Sequence, residues 1–350
     1  MFLPAHPLGH LGWDSALEVA MAPHAATGTI AGRVVRVDRG LVSVLTAAAT
    51  LRVPIAGRLL DALPEGGITA GDWVCITSGM AVAALPRRTV FLRRAAGERT
   101  AAQAVAANVD TALLTVPLGA GARPRRLERL LAVAWASGAT PIAVLTKADL
   151  SADLATDLDL AREAAGAAVV VVAVSAVGAT GLDTLSVLLE PGRTAAMIGP
   201  SGAGKSTLVN LLAGAAGLAT APVRDDGRGR HTTTARHLLV LPSGVLIVDT
   251  PGLRELGVWD ATDGIASAFG DIAELAAGCR FSDCAHDAEP GCAVRAAAVL
   301  DPAVLGRLAS QRKLAREQRW VEVRQDGRAR AEGRRVMKRH NRALRREQPR

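Results

Sequence analysis

The chain of 350 residues has no tyrosine and only four phenylalanines. With so few rings, its cores must be built from Leu, Val, Ile and Ala, which a hydrophobic content of 49% allows. Lysine is almost as scarce. It occurs only at Lys147, Lys205, Lys313 and Lys338, while arginine carries the remaining positive charge. The Arg- and Ala-rich bias points to a GC-rich genome more than to a function. It makes a lysine inside a motif informative, because a compact ammonium stands there where a guanidinium would be the default. Cysteine is limited to four, with three inside residues 279–292, which is not the spacing of a disulfide framework. No uninterrupted apolar run reaches the 18 residues of a membrane span, since "AAVVVVAVSAVGA" is too short. The N-terminus lacks a basic stretch followed by an apolar one, so neither a secretory leader nor membrane association is expected, and the cytoplasm is the expected compartment.

The net charge of +8 is unevenly spread. Residues 307–350 hold 16 Lys and Arg against 5 Asp and Glu, a net of +11, which leaves −3 for the remainder. A basic block of this kind is either a polyanion-binding segment, with nucleic acid the usual partner, or a solvated helix that binds nothing.

Four segments follow from the patterning. Residues 1–27 read as a flexible extension with a short helix near Ser15 to Met21. Residues 28–94 give about five short strands broken by turn signals, which fits a small Greek-key barrel of the OB type. Arg87, Arg88, Arg93 and Arg94 near its end form either a basic edge or a solvated connector. Residues 95–262 alternate strands and helices, which predicts an α/β domain with a parallel sheet and ligand-binding loops at the carboxyl ends of its strands. Residues 263–350 hold the cysteine cluster, a helix opened by the cap pair Asp301–Pro302, and the basic tail.

"GPSGAGKST" (Gly199, Pro200, Ser201, Gly202, Ala203, Gly204, Lys205, Ser206, Thr207) fits the phosphate-loop pattern completely. It follows the apolar strand "TAAMI" and opens a helical run, the context the pattern requires. Its glycines let backbone N–H groups turn toward phosphates at a helix N-terminus. Lys205 reaches the outer phosphates and Ser206 ligates Mg²⁺. Downstream, "DTPG" ends another apolar strand. There Asp249 can hold Mg²⁺ through water and the Gly252 N–H can sense a γ-phosphate. Between the two lies "DDGRGRHTTTARH". One of Thr232, Thr233 and Thr234 can complete the Mg²⁺ shell, and His231 is a weak candidate for contact with catalytic water.

The base is read from "TKAD". Asp149 can accept both the N1–H and the exocyclic amine of guanine, a pair that adenine does not offer. The stem of Lys147 can cover the base, and Thr146 opens the loop. At the end of the next strand, Ser175 and Ala176 can present a backbone N–H to the guanine oxygen. In the common order of such sites the phosphate loop comes first. Here the base loop precedes it, which is the order of a circularly permuted P-loop GTPase. Farther on, Cys279, Cys284, His286 and Cys292 supply three thiolates and an imidazole. This is the donor set of one closed structural Zn²⁺ site, with a reduced thiol cluster or a disulfide as alternatives. Cys75 reads as a buried small hydrophobe.

Over roughly residues 28–300 the chain resembles the ribosome small subunit-dependent GTPases, the RsgA or YjeQ family. The resemblance rests on "TKAD", "GPSGAGKST", "RGRHTTT", "DTPG" and the Cys cluster, in that order after a barrel. It implies an OB domain, a permuted GTPase domain and a zinc domain. It also implies GTP hydrolysis stimulated by the small ribosomal subunit, during late maturation of that subunit and in contact with its rRNA. A monomer is expected. Two positions depart from common patterns. Thr146 stands where the family usually has Asn, which implies weaker hold on guanine. Leu253 follows DTPG where many GTPases have a water-orienting Gln, so intrinsic hydrolysis should be slow and a partner should complete the site. That leucine also leaves open a non-enzymatic RNA-binding assembly scaffold with a structural nucleotide site.

Overall fold

The computed structural model describes residues 6–25, 28–38, 40–61, 66–94, 102–118, 123–214, 237–249 and 262–319. After a short first helix, α1 (Ser15–Met21), five short strands follow, with α2 (Gly57–Asp61) between the third and fourth. They are β1 (Ile30–Asp38), β2 (Leu41–Leu45), β3 (Thr50–Pro54), β4 (Trp73–Thr77) and β5 (Met80–Ala84). The long β1 pairs antiparallel with both β2 and β4; β2 continues to β3 and β4 to β5. A bridge between Ile55 and Ala81 ties the end of β3 to β5. Alternate residues point inward, so Val34, Val42, Val44, Val53, Val74 and Ile76 form one aliphatic core.

Two sequence expectations fail here. The described part of the N-terminal extension is packed, not loose: Leu8, Leu11, Trp13 and Leu17 are all buried. Trp13 meets Trp73 edge-on at 4.9 Å, and Asp14 caps α1 and pairs with Arg88 at 2.5 Å. Fully buried Arg33 donates from β1 to the Leu11 and Asn108 carbonyls, joining three segments. Burial lowers its pKa to about 10, still high enough to keep the charge at neutral pH. Arg87 is neither part of a basic edge nor a solvated connector, and the side chain of Arg94 lies outside the described residues. Arg87 makes a two-pronged, buried pair with Asp72, each contact 2.7 Å, and Arg93 donates to Gln103. Arg87 therefore serves internal structure, whereas Arg88 is one-third exposed beside Asp14 and Arg93 has a neutral partner that leaves its charge intact.

A hairpin of β6 (Val90–Arg94) and β7 (Ala102–Ala107) leads into the α/β part. Its strands are β8 (Thr111–Pro117), β9 (Thr140–Thr146), β10 (Val170–Val174), β11 (Thr194–Ile198), β12 (His237–Val240) and β13 (Leu246–Asp249). They lie in the order β10-β9-β8-β11-β13-β12, parallel except for β12. The helices are α3 (Pro124–Ser137), α4 (Leu154–Ala165), α5 (Leu182–Val187) and α6 (Lys205–Ala213). Neighbouring strand residues feed opposite faces. Leu114 packs with Leu127 and Leu131 of α3, whereas Leu113 packs with Leu185 of α5 and Leu208 of α6. Helices therefore cover both faces, as the alternating pattern predicts. The strand order reverses between β8 and β11, the crevice where such sheets bind ligands.

The chain continues through α7 (Thr262–Ala268), α8 (Gly270–Ala277), α9 (Ala293–Leu300) and a helix over residues 303–319, α10. Asp301 accepts from the Ala303 N–H at 3.0 Å, as the cap pair predicts. α7 lies so close to α3 that a Cβ on Gly264 would come within 2.1 Å of the Ala132 carbonyl oxygen, so only glycine fits. Arg307 of α10 is buried. It binds Asp271 twice at 2.7 Å and donates to the Ala164 and Ala268 carbonyls at 2.7 and 3.0 Å. Among the described residues, no helix is long and apolar enough to cross a membrane.

Candidate functional site

Each predicted segment that the structure describes leaves the carboxyl end of a parallel strand. β11 runs into the loop Gly199–Gly204 and then into α6. A Cβ on Gly199 would lie 2.2 Å from the Thr115 hydroxyl oxygen and 2.4 Å from its carbonyl oxygen, so the loop presses against β8. Gly202 and Gly204 take left-handed φ values of 75° and 86°, which lets the chain curl back and begin the helix. Lys205, nearly buried, donates to the Gly199 and Pro200 carbonyls at 2.7 and 2.5 Å. These bonds fold its ammonium back onto the first residues of the loop. Ser206 and Thr207, in the first turn of α6, are exposed.

β9 delivers the second segment. Thr146 is its last residue and is buried. Its hydroxyl donates to the Ala203 carbonyl of the phosphate loop at 2.7 Å. At Lys147 the chain turns through a left-handed φ of 59°, uncommon for a side chain of this kind, into a short turn that carries Asp149. Lys147 and Asp149 both face solvent. From the end of β10, buried Ser175 donates to Asp149 at 2.5 Å and accepts the Gly178 N–H at 3.0 Å. Exposed Ala176 follows it.

β13 ends at Asp249, next to β11. Its backbone therefore reaches the same edge of the sheet as the phosphate loop. Gly252, Leu253, Thr232, Thr233, Thr234 and His231 lie outside the described residues.

The four metal-ligand candidates also converge. One ligand atom from each of Cys279, Cys284, His286 and Cys292 falls within 4.8 Å of all the others. The Cys279 and Cys292 sulfurs are 3.9 Å apart, and His286 Nδ1 lies 3.6 and 3.5 Å from them. The cysteines are free thiols, so a disulfide is not the explanation. Cys292 caps α9, and Arg312 of α10 ties to Asp287 at 2.8 Å and to the Ala285 carbonyl, bracketing His286.

Residues 84–259 match the family model described as RsgA GTPase. The chain is 48% identical over 341 residues to "Small ribosomal subunit biogenesis GTPase RsgA" of Streptomyces coelicolor, covering 95% of this chain and 92% of that one. The chain belongs to the RsgA GTPase family. A second relative of the same printed name, from Opitutus terrae, is 42% identical and covers 91% of this chain and 92% of its own. Among solved structures, YjeQ from Thermotoga maritima superposes with a TM-score of 0.63 at 25% identity, over 83% of this chain and 98% of that one. YloQ, described as a circularly permuted GTPase, gives a TM-score of 0.58 at 22% identity over 84% and 98%, and shares the fold. The circular permutation read from the sequence of this RsgA-family GTPase thus matches the description of YloQ, whose fold it shares.

Sequence reasoning missed two side-chain roles at the site. Ser175 was read only for the backbone beside it, but its hydroxyl grips Asp149. The Thr146 hydroxyl binds another loop 57 residues away. Neither contact has a spacing signature, because each forms only when separate strands come side by side.

Proposed function

We propose that this GTPase converts GTP to GDP and phosphate while bound to the small ribosomal subunit, and that it assists late maturation of that subunit. The convergence of the Asp149 loop and the Gly199–Gly204 loop on one crevice carries the reading. Asp149, steadied by Ser175, reads the Watson–Crick edge of guanine, Lys147 lies along the base, and the Ala176 N–H faces the guanine oxygen. Backbone N–H groups of Gly199 to Gly204 with Pro200, Ser201 and Ala203 forming the turn, together with Lys205 and Thr207, hold the phosphates. Ser206 and Asp249, with Thr232 or Thr233, would hold Mg²⁺, which neutralises charge on the phosphate oxygens. The Gly252 N–H senses the γ-phosphate. Water attacks the γ-phosphorus, and the bond to the bridging oxygen breaks to release GDP. Leu253 cannot orient that water, so the ribosomal partner, or His231, completes the site.

The chain divides into an extension (1–27), a barrel of the OB type (28–94), the permuted GTPase domain (95–262) and a zinc-binding domain with a basic tail (263–350). One Zn²⁺ fits the Cys279–Cys284–His286–Cys292 cluster. A tetrahedral ion with sulfur at about 2.3 Å and nitrogen at about 2.0 Å has edges of about 3.8 Å (S–S) and 3.5 Å (S–N). The sulfur–sulfur separation of 3.9 Å and the sulfur–nitrogen separations of 3.5 and 3.6 Å support this. Four protein ligands leave no open position, so the ion is structural. Stripping it with a strong chelator should release one zinc per chain, measured by elemental analysis. Amide exchange across residues 279–292 should then rise by orders of magnitude while GTP binding persists. Barrel and basic tail contact the rRNA of a cytoplasmic ribosomal subunit, and the protein acts as a monomer.

Phosphate release from GTP and ATP, with and without isolated small ribosomal subunits, tests the reading. Stimulation with GTP alone is expected. No turnover in any condition would leave a non-enzymatic scaffold, and stimulation with ATP would mean that Asp149 does not select the base.

A further inference from the structure

Thr146 heads the base loop, and its resemblance to an asparagine position assigns it to the base. The geometry points elsewhere. Its side chain is buried, with 5% of the residue exposed, and its hydroxyl donates at 2.7 Å to the carbonyl of Ala203, itself fully buried. The backbone is fixed as well: the Thr146 carbonyl accepts from the Leu118 N–H at 2.9 Å, and Thr146 is in register with Pro117 of β8.

A hydroxyl has one proton to give. Here it is given to the phosphate loop, so toward a base Thr146 can present only a lone pair. The N7 and O6 atoms of guanine are acceptors themselves, and two acceptors do not bind. The donors of guanine, N1–H and the 2-amino group, belong to Asp149 in the proposed site. The acceptor Ala203 sits between Gly202 and Gly204, both left-handed, at the point where the loop turns into α6. On the other side, the left-handed Lys147 starts the base loop immediately after Thr146. One hydrogen bond therefore fastens the start of the base loop to the tightest part of the phosphate loop.

We infer that Thr146 is a positioning residue for the phosphate loop that takes no part in base recognition, and that purine selection rests on Asp149 and the serine that orients it. The inference builds on the proposed guanine-nucleotide site. It has two consequences. Thr146 sets affinity for the triphosphate whatever the base, and the site is indifferent to the N7 edge of the purine.

The test is nucleotide binding to the full chain by competition with a fluorescent GTP analogue. Wild-type protein should bind 7-deaza-GTP within two-fold of GTP. A ten-fold or larger loss would show a donor on N7 and overturn the inference. Thr146→Val keeps the shape and leaves the buried Ala203 carbonyl unpaired. It should weaken GTP and ITP alike, by roughly ten-fold. The GTP-to-ITP ratio should stay within two-fold of wild type, and Thr146→Ser should restore both constants. A ten-fold change in that ratio, or no change in either constant, would sink the inference. If Thr146→Val fails to fold, the 7-deaza comparison decides alone. Wild-type protein that binds GTP no better than ATP would refute the guanine site itself, a separate result.

Discussion

Asp149→Asn should turn the site from guanine toward xanthine nucleotides. The reason lies in which atom faces which. Ser175 donates to one carboxylate oxygen of Asp149 at 2.5 Å, so in the amide variant the carbonyl oxygen remains toward Ser175. The carbonyl oxygen still accepts the N1–H of guanine, but the NH₂ takes the other position and opposes the 2-amino group. One hydrogen bond to a charged group is lost and replaced by repulsion between donors, and the other is weakened to a neutral bond. At about 1.5–3 kcal/mol for the lost bond, GTP affinity should fall by on the order of 10–10²-fold. Xanthine has a carbonyl in place of the 2-amino group and accepts from that NH₂, so XTP should bind the variant better than GTP does. Competition binding of GTP, XTP and ATP to both proteins measures this. Variant protein with undiminished GTP affinity would remove Asp149 from the base and with it the main argument for guanine. Ser175→Ala should give a smaller loss in the same direction, because it frees the carboxylate without changing its charge.

The parts of this molecule that were legible in the sequence are those whose cause is local. A strand, a glycine-rich turn and a helix succeed one another within residues 194–213, and the pattern needs nothing from elsewhere in the chain. The Cys and His ligands likewise crowd into 14 residues, so proximity is nearly guaranteed by chain length. Permutation was readable because strand ends keep their place in a sheet when the chain order is rotated. What was not legible depends on which face of an element meets a distant one. Counting charge placed Arg307 in a basic tail that either binds a polyanion or is solvated, whereas the helix turns that one arginine inward and leaves Lys313 and Arg316 outside. Arg87 and Arg88 read as either a basic edge or a solvated connector for the same reason. Their carboxylate partners, Asp72 and Asp14, lie 15 and 74 residues away and carry no signal of the pairing. Leu8, Leu11, Trp13 and Leu17 follow no single period, so only tertiary contacts such as that of Trp13 with Trp73 show that they belong to the core.

Arg307→Met should be the most destabilising single change at the junction of α10 with the GTPase helices, and its cost should depend on pH. The guanidinium binds Asp271 of α8 twice, caps the ends of α4 and α7 through the Ala164 and Ala268 carbonyls, and lies 3.6 Å from Glu128 of α3. Methionine fills the space and makes none of these contacts. Asp271 is about half exposed, at 46%, and can turn to water; Glu128, at 3%, cannot. Removing one member of a buried pair costs about 3–5 kcal/mol, and the exposure of Asp271 argues for the lower end, about 3 kcal/mol at pH 7. Burial already raises the Glu128 pKa above its ordinary carboxylate value, against the lowering influence of Ser310 and Arg307. Without Arg307 it should rise further. A carboxyl with a raised pKa in the folded state holds its proton where the unfolded chain has lost it, so its contribution to stability falls as pH rises from the ordinary carboxylate value through the folded one. The deficit of the variant should therefore shrink as pH is lowered into that window, since a protonated Glu128 no longer needs a cation. Urea unfolding with amide exchange read at residues 303–319, at pH 7 and pH 5, measures both effects. Adding Glu128→Gln to Arg307→Met should recover part of the loss at pH 7 and little at pH 5. Equal deficits at the two pH values, with no recovery in the double variant, would mean that Arg307 acts through Asp271 and the helix ends alone. In that case Glu128 would have no share in holding α10 to the GTPase helices.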